Sequence, residues 1–126
     1  MTLTQQATTQ VAVVSVPVSD QERAKAFYVD RLGFELLRDD SSVPGMRWIQ
    51  VSPPGGGPSL TLVDWFETMP PGSLRGLVFS VEDLDAEYAH LVANGVSFEG
   101  PPESQPWAKE TVFVDPDGNQ FVLQER

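Results

Sequence analysis

The chain is 126 residues long, one domain's worth, with 40% hydrophobic and 21% charged residues, enough to bury a core. Its formal net charge of −10 argues against nucleic acid as a partner, because phosphate binding relies on clustered Lys and Arg. Zero cysteines exclude disulfides, thiolate metal sites and cysteine nucleophiles, and are compatible with a cytoplasmic location.

Residues 1–10 are polar and lack the basic start and apolar stretch of a secretion signal, so they read as a flexible N-terminal tail. No apolar run approaches the roughly 20 residues of a membrane span. Residues 11–126 then read as a single α+β domain. Val11–Val18 is β-branched and bounded by turn formers, which predicts a buried strand. Ser19 and Glu22 have capping-box spacing, predicting a helix that runs to about Leu32 and stops at Gly33. Ala24, Phe27, Tyr28 and Leu32 fall on one stripe of it. Strands follow near 34–38, 47–52 and 59–63, the last two joined by the turn Pro53-Pro54-Gly55-Gly56-Gly57.

Residues 64–73 read as a link. Past it the order repeats: a strand over 76–81, a helix capped by Asp83 and carrying Leu84, Tyr88 and Leu91, a stop at Asn94-Gly95, then strands near 96–99, 111–114 and 120–124. Asp20 and Asp83 stand 63 residues apart, as do Gly55 and Gly118. The chain is therefore two βαβββ modules, about 11–63 and 74–126, and a repeat of this kind buries each half against the other. A ligand is expected in a cleft that both halves line.

Val18-Ser19-Asp20, Phe27-Tyr28, Leu32-Gly33-Phe34, Val81-Glu82-Asp83-Leu84-Asp85, Asn94-Gly95-Val96 and Asp115-Pro116-Asp117-Gly118-Asn119, in that order, resemble the vicinal oxygen chelate superfamily of glyoxalases, extradiol dioxygenases and fosfomycin and bleomycin resistance proteins. The resemblance implies two modules forming a cupped mixed sheet, a homodimer, and a metal at the bottom of the cup. It places the metal-ligand positions at Val13 and Gly76 on the first strands and at Thr61 and Val122 on the last. Valine and glycine side chains offer no donor, and one threonine hydroxyl is a poor ligand, so neither metal nor cofactor is expected.

Strand alternation points Val13 and Ser15 into the cup, and Val14, Val16 and Val18 toward the helix. Carrying the 63-residue spacing to the third strands pairs Ile49 and Val51 with Val112 and Val114 as core. That turns Trp48, Gln50, Thr111, Phe113 and Val122 inward, with Trp65, Phe66 and Trp107 in loops at the rim. These ten residues form the expected ligand-binding set, an aromatic, amide-bearing, uncharged surface suited to a flat or partly apolar organic molecule. Trp48 and Phe113 serve equally well as filler, and the loop tryptophans as a dimer contact. The lone histidine, His90, lies beside the apolar stripe and is expected in solvent.

The function expected is metal-free binding or sequestration of a small aromatic or cationic molecule, as in bleomycin resistance proteins. The alternative is a divalent-metal lyase, isomerase or dioxygenase of the glyoxalase type. No residue is nominated as catalytic: no histidine accompanies Ser15, Ser80 or Thr111, and Asp64 and Glu125 sit at strand ends. The surplus of carboxylates serves solubility or attracts a cationic guest.

Overall fold

The computed structural model describes residues 8–126. Residues 1–7 of the expected tail lie outside them. Val13–Pro17 forms β1, Gln21–Ala26 forms α1, and Phe27–Arg31 continues it as a π-helical turn. Strands β2 (Glu35–Val43), β3 (Met46–Ser52) and β4 (Ser59–Val63) close a four-stranded sheet in the order β1-β4-β3-β2. The second half repeats this with β5 (Leu77–Val81), α2 (Leu84–Ala93), β6 (Ser97–Phe98), β7 (Glu103–Ser104), β8 (Lys109–Val114) and β9 (Gln120–Glu125). Its sheet runs β5-β9-β8-β6, with the short, unexpected β7 also on β8. Each sheet is mixed, because its first and last strands pair in parallel and the rest antiparallel. Among the described residues no helix is long and apolar enough to cross a membrane.

The capping expected of Ser19 falls one residue later. Asp20 has the extended backbone of an N-cap and accepts from the Arg23 amide, freeing the Ser19 hydroxyl to donate to Asp117 across the module boundary. Asp83 caps α2 in the same way through the Ala86 amide.

One core serves both modules. Val16, Val18, Ile49, Val51, Leu60 and Leu62 from the first sheet join Phe113, Phe121 and Leu123 from the second. Tyr28 stands edge-on to Phe121 at 6.2 Å between ring centres, and Phe34 edge-on to Phe79 at 5.6 Å. Since the helix-bearing faces of the two sheets share this core, alternation turns their other faces outward, away from each other.

A polar latch crosses the same boundary. The Tyr28 hydroxyl donates to Asp115 Oδ2 at 2.8 Å. Asn119 Nδ2 donates to Asp115 Oδ2 at 2.7 Å and to the Pro17 carbonyl at 2.8 Å, while its Oδ1 accepts from the Leu74 amide. Asp117 holds Ser19 and Arg23. The turn Asp115–Asn119 thus ties the second module to the end of β1 and the start of α1.

Gly72 lies against this turn with φ +82°, and a Cβ there would overlap the Asp117 carbonyl oxygen. Gly95 has φ +87° too, but its Cβ would meet only the movable guanidinium of Arg31. Both alanine substitutions carry the roughly 1–2 kcal/mol penalty of left-handed backbone. Only Gly72→Ala must also displace backbone. It is expected to lose about 3 kcal/mol in denaturant unfolding, against about 1–2 kcal/mol for Gly95→Ala.

Candidate functional site

Parallel pairing sets Ser15 beside Thr61 and Val78 beside Val122, so these two pairs occupy matching places in the modules. Gln50 then faces Thr61 as Val112 faces Val122. The spacing between modules is therefore 63 residues at the first strands but 62 at the third. One residue of slip inverts a strand. Thr111 and Phe113 consequently face the core rather than the cup. Phe113, 2% exposed, stacks on Phe79 and Phe121, and the Thr111 hydroxyl donates to the Gly100 carbonyl at 2.6 Å. Val112 and Val114, expected in the core, lie on the outer face with Val122 and Gln124.

The first module's outer face carries Val13, Ser15, Trp48, Gln50, Ser59 and Thr61. Trp48 Nε1 donates to Gln50 Oε1 at 3.1 Å, Gln50 Nε2 to Ser59 Oγ at 2.7 Å, and Ser59 Oγ to the Ala12 carbonyl. Ser15 and Thr61 hydroxyls lie 3.3 Å apart. Trp65 stacks on Trp48 with rings 24° from parallel and 6.3 Å between centres, and Phe66 follows at 6.1 Å, half exposed. The structure thus gathers Trp48, Gln50, Trp65, Phe66, Ser15 and Val13 in one module, and leaves Val122 and Trp107 on the outer face and rim of the other. Within a single chain these two sets do not meet.

The expectation of an uncharged surface is corrected in two places. On the edge strand, Arg38 and Asp40 sit across from Gln50 and Trp48 and pair with each other at 3.1 Å. In the second module Glu110 projects beside Gln124, two residues from Val112 on the same face. Sequence reasoning missed Glu110 because the 63-residue spacing assigned that face to its neighbour Thr111.

The metal-ligand positions implied by the resemblance do not suit a divalent cation. Val13, Gly76 and Val122 supply no side-chain donor, and the Thr61 hydroxyl is engaged with Ser15. Among the described residues no three His, Cys, Asp or Glu side chains converge. His90 is exposed on α2, beside Asn94.

The modules also enclose a cleft of about 620 Å³ on their helix side, so both halves do line a cavity. Of the ten expected ligand residues only Phe113 borders it. Its walls are core side chains such as Phe34, Leu77, Phe79 and Leu91, and its charged groups, Glu82, Glu87 and Arg126, lie at the ends of β5, β9 and along α2.

Titration separates the polar groups by environment. Burial, then the Asp115 charge and hydrogen bond, holds the Tyr28 phenol well above its ordinary value, so it stays a donor. Hydrogen bonds from Arg47 and Lys25 hold Asp39 well below the usual carboxylate range, on the edge of the first sheet. Neither group touches the outer faces' aromatic set.

A family model for the Glyoxalase/Bleomycin resistance protein/Dioxygenase superfamily matches residues 10–123. TnmS3, an antibiotic binding protein from Streptomyces sp. CB03234, is 52% identical; the match covers 96% of this chain and 98% of TnmS3 with a TM-score of 0.87. A superfamily member from Sphaerobacter thermophilus is 41% identical over 94% of this chain and 98% of its own, with the same TM-score. YetH of Bacillus subtilis is 35% identical over 92% of this chain and 98% of YetH.

Proposed function

The chain belongs to the glyoxalase/bleomycin resistance protein/dioxygenase superfamily, and on that premise we propose that it binds a small, largely aromatic organic molecule in the cup without a metal. One observation carries the reading. Where the superfamily's ligand positions fall, this chain has Val13, Thr61, Gly76 and Val122, and around two of them it has built an indole–amide–hydroxyl network from Trp48, Gln50, Ser59, Thr61 and Ser15. Fixed polar groups within an aromatic surface orient a flat ligand, and Trp48 with Trp65 supplies the stacking. The helix-side cleft suits this role less well, because its walls are shared core and its charged groups, Glu82, Glu87 and Arg126, are not fixed by side-chain hydrogen bonds among the described residues as Trp48 and Gln50 are. The 52% identity to an antibiotic binding protein favours binding over turnover, and an antibiotic-like guest in particular.

The outward faces need a second chain. The first module's aromatic face and the second module's valine face, with Val78 46% exposed, become a cup when two copies set them against each other. Such a homodimer has two sites, each lined by both chains.

Native mass spectrometry of the purified protein, with and without polycyclic aromatic antibiotics, tests these points together. The expected spectrum has the mass of two chains, no stoichiometric metal, and up to two bound ligands. Retention of one divalent metal per chain, or no ligand adduct across the panel, overturns the reading.

A further inference from the structure

We propose that Glu110, held in place by Trp107, anchors a cationic group of the ligand, such as a protonated amine, on the wall of the cup opposite the Trp48 platform. This rests on the cup reading above and adds the ligand's charge and the residue that recognises it.

The two outer faces carry the same device with different charge. In the first module an indole N–H, that of Trp48, donates to the neutral amide oxygen of Gln50. In the second, Trp107 Nε1 donates to a carboxylate, Glu110 Oε1, at 2.9 Å, and Gln124 Nε2 donates to the same oxygen at 3.2 Å. Both bonds end on Oε1, so the other oxygen of the carboxylate is left to a ligand. Neither donor neutralises the charge, and none of the ion pairs among the described residues involves Glu110. Lys109, next in sequence, points to the opposite face and pairs with Asp85.

Its surroundings make the lack of a counter-charge costly. Glu103 stands directly across from Glu110 in the β7–β8 pair, and like charges so placed repel. A cavity of about 240 Å³ opens beside them, bounded also by Gln105 and Val112. The Trp107 ring, 68% exposed and fixed through its N–H, offers an aromatic face to whatever cation sits on the carboxylate. A guest with a flat body on Trp48 and Trp65 and an amine on Glu110 and Trp107 satisfies both walls.

The test uses two planar three-ring probes of similar size, 9-aminoacridine, a cation at pH 7, and acridone, which is neutral. Affinities for the full-length protein are measured by calorimetry at low salt. Glu110→Gln keeps an acceptor for both donors and removes the charge; Asp30→Asn, exposed on the helical side, removes the same charge elsewhere. A charge-assisted hydrogen bond contributes enough for roughly a tenfold effect. The expected result is that Glu110→Gln loses about tenfold for 9-aminoacridine and changes acridone binding less than twofold, while Asp30→Asn changes neither. Circular dichroism and thermal unfolding verify that the variants fold. If wild type binds both probes and Glu110→Gln affects them equally or not at all, or if Asp30→Asn matches it, the cationic anchor is overturned and the cup reading stands. If wild type binds neither probe, the anchor and the aromatic cup fail together.

Discussion

Asn119→Ala is expected to destabilise the protein by about 3–5 kcal/mol, more than any surface substitution discussed above. Asn119 is fully buried and makes three side-chain hydrogen bonds, two of them bridging to other segments. Its loss strands the Leu74 amide, takes one donor from the Asp115 carboxylate and one from the Pro17 carbonyl, which keeps only the Gly72 amide at 3.2 Å. Each orphaned buried group costs roughly 1–3 kcal/mol, and bonds to charged groups lie at the upper end. Tyr28→Phe removes a single bond to the same carboxylate and is expected to lose about 2 kcal/mol. The two variants share a network, so the double variant should lose less than the sum of the singles.

The tyrosine also gives this latch a pH signature. Because its phenol is held well above the ordinary value of about 10, the folded chain keeps a proton that the unfolded chain gives up there. The unfolded state then binds fewer protons, so stability falls as pH rises. The Tyr28 contribution is fully present below the unfolded value and lost above it, toward the folded one. Denaturant titrations of wild type and Tyr28→Phe at pH 7 and from pH 9 to 11 should converge as pH rises. A gap that stays constant would mean that the hydroxyl's bond to Asp115 is not what the substitution removes.

The architecture was readable in the chain because it is written in redundant local signals. Asp20 and Asp83 cap, Gly33 and Gly95 stop, and β-branched runs alternate, and each signal appears twice. The site was less legible, and the reason is geometric. The caps Asp20 and Asp83 stand 63 residues apart, but the first helix ends in a π-helical turn, Phe27–Arg31, and its stop Gly33 stands only 62 residues before Gly95, so the modules are out of step before their third strands. A helix tolerates one residue of misalignment with a rotation of its face; a strand does not, which is why Thr111 and Phe113 were assigned to the wrong side and Glu110 was missed. Nor does periodicity reveal what Asp115 and Asn119 do. As turn residues they explain themselves locally, and only the fold brings Tyr28 and Pro17 to them from 87 and 102 residues away.

Trp48→Ala carries the largest expected effect on binding. A tryptophan buries about 150–250 Å² when fully covered. Trp48 is already partly covered by the sheet and Trp65, which leaves at most roughly a third of that area, about 50–80 Å², for a ligand to cover. At roughly 25 cal/mol per Å² this contributes about 1–2 kcal/mol, a loss of about 10- to 30-fold in affinity for a neutral planar probe such as acridone. Trp48→Phe retains a ring but no N–H to hold Gln50, and should lose only about three- to fivefold. The filler role and the platform role diverge in the ligand-free protein. If Trp48 merely fills space, Trp48→Ala lowers the unfolding midpoint while leaving acridone affinity intact; if it is the platform, affinity falls in proportion to lost ring area, and Trp48→Phe separates from Trp48→Ala in binding more than in stability. Calorimetric titration and thermal unfolding of the three proteins decide between them. Intact binding by Trp48→Ala would move the ligand off the first module's outer face altogether, leaving the helix-side cleft as the cavity to probe next.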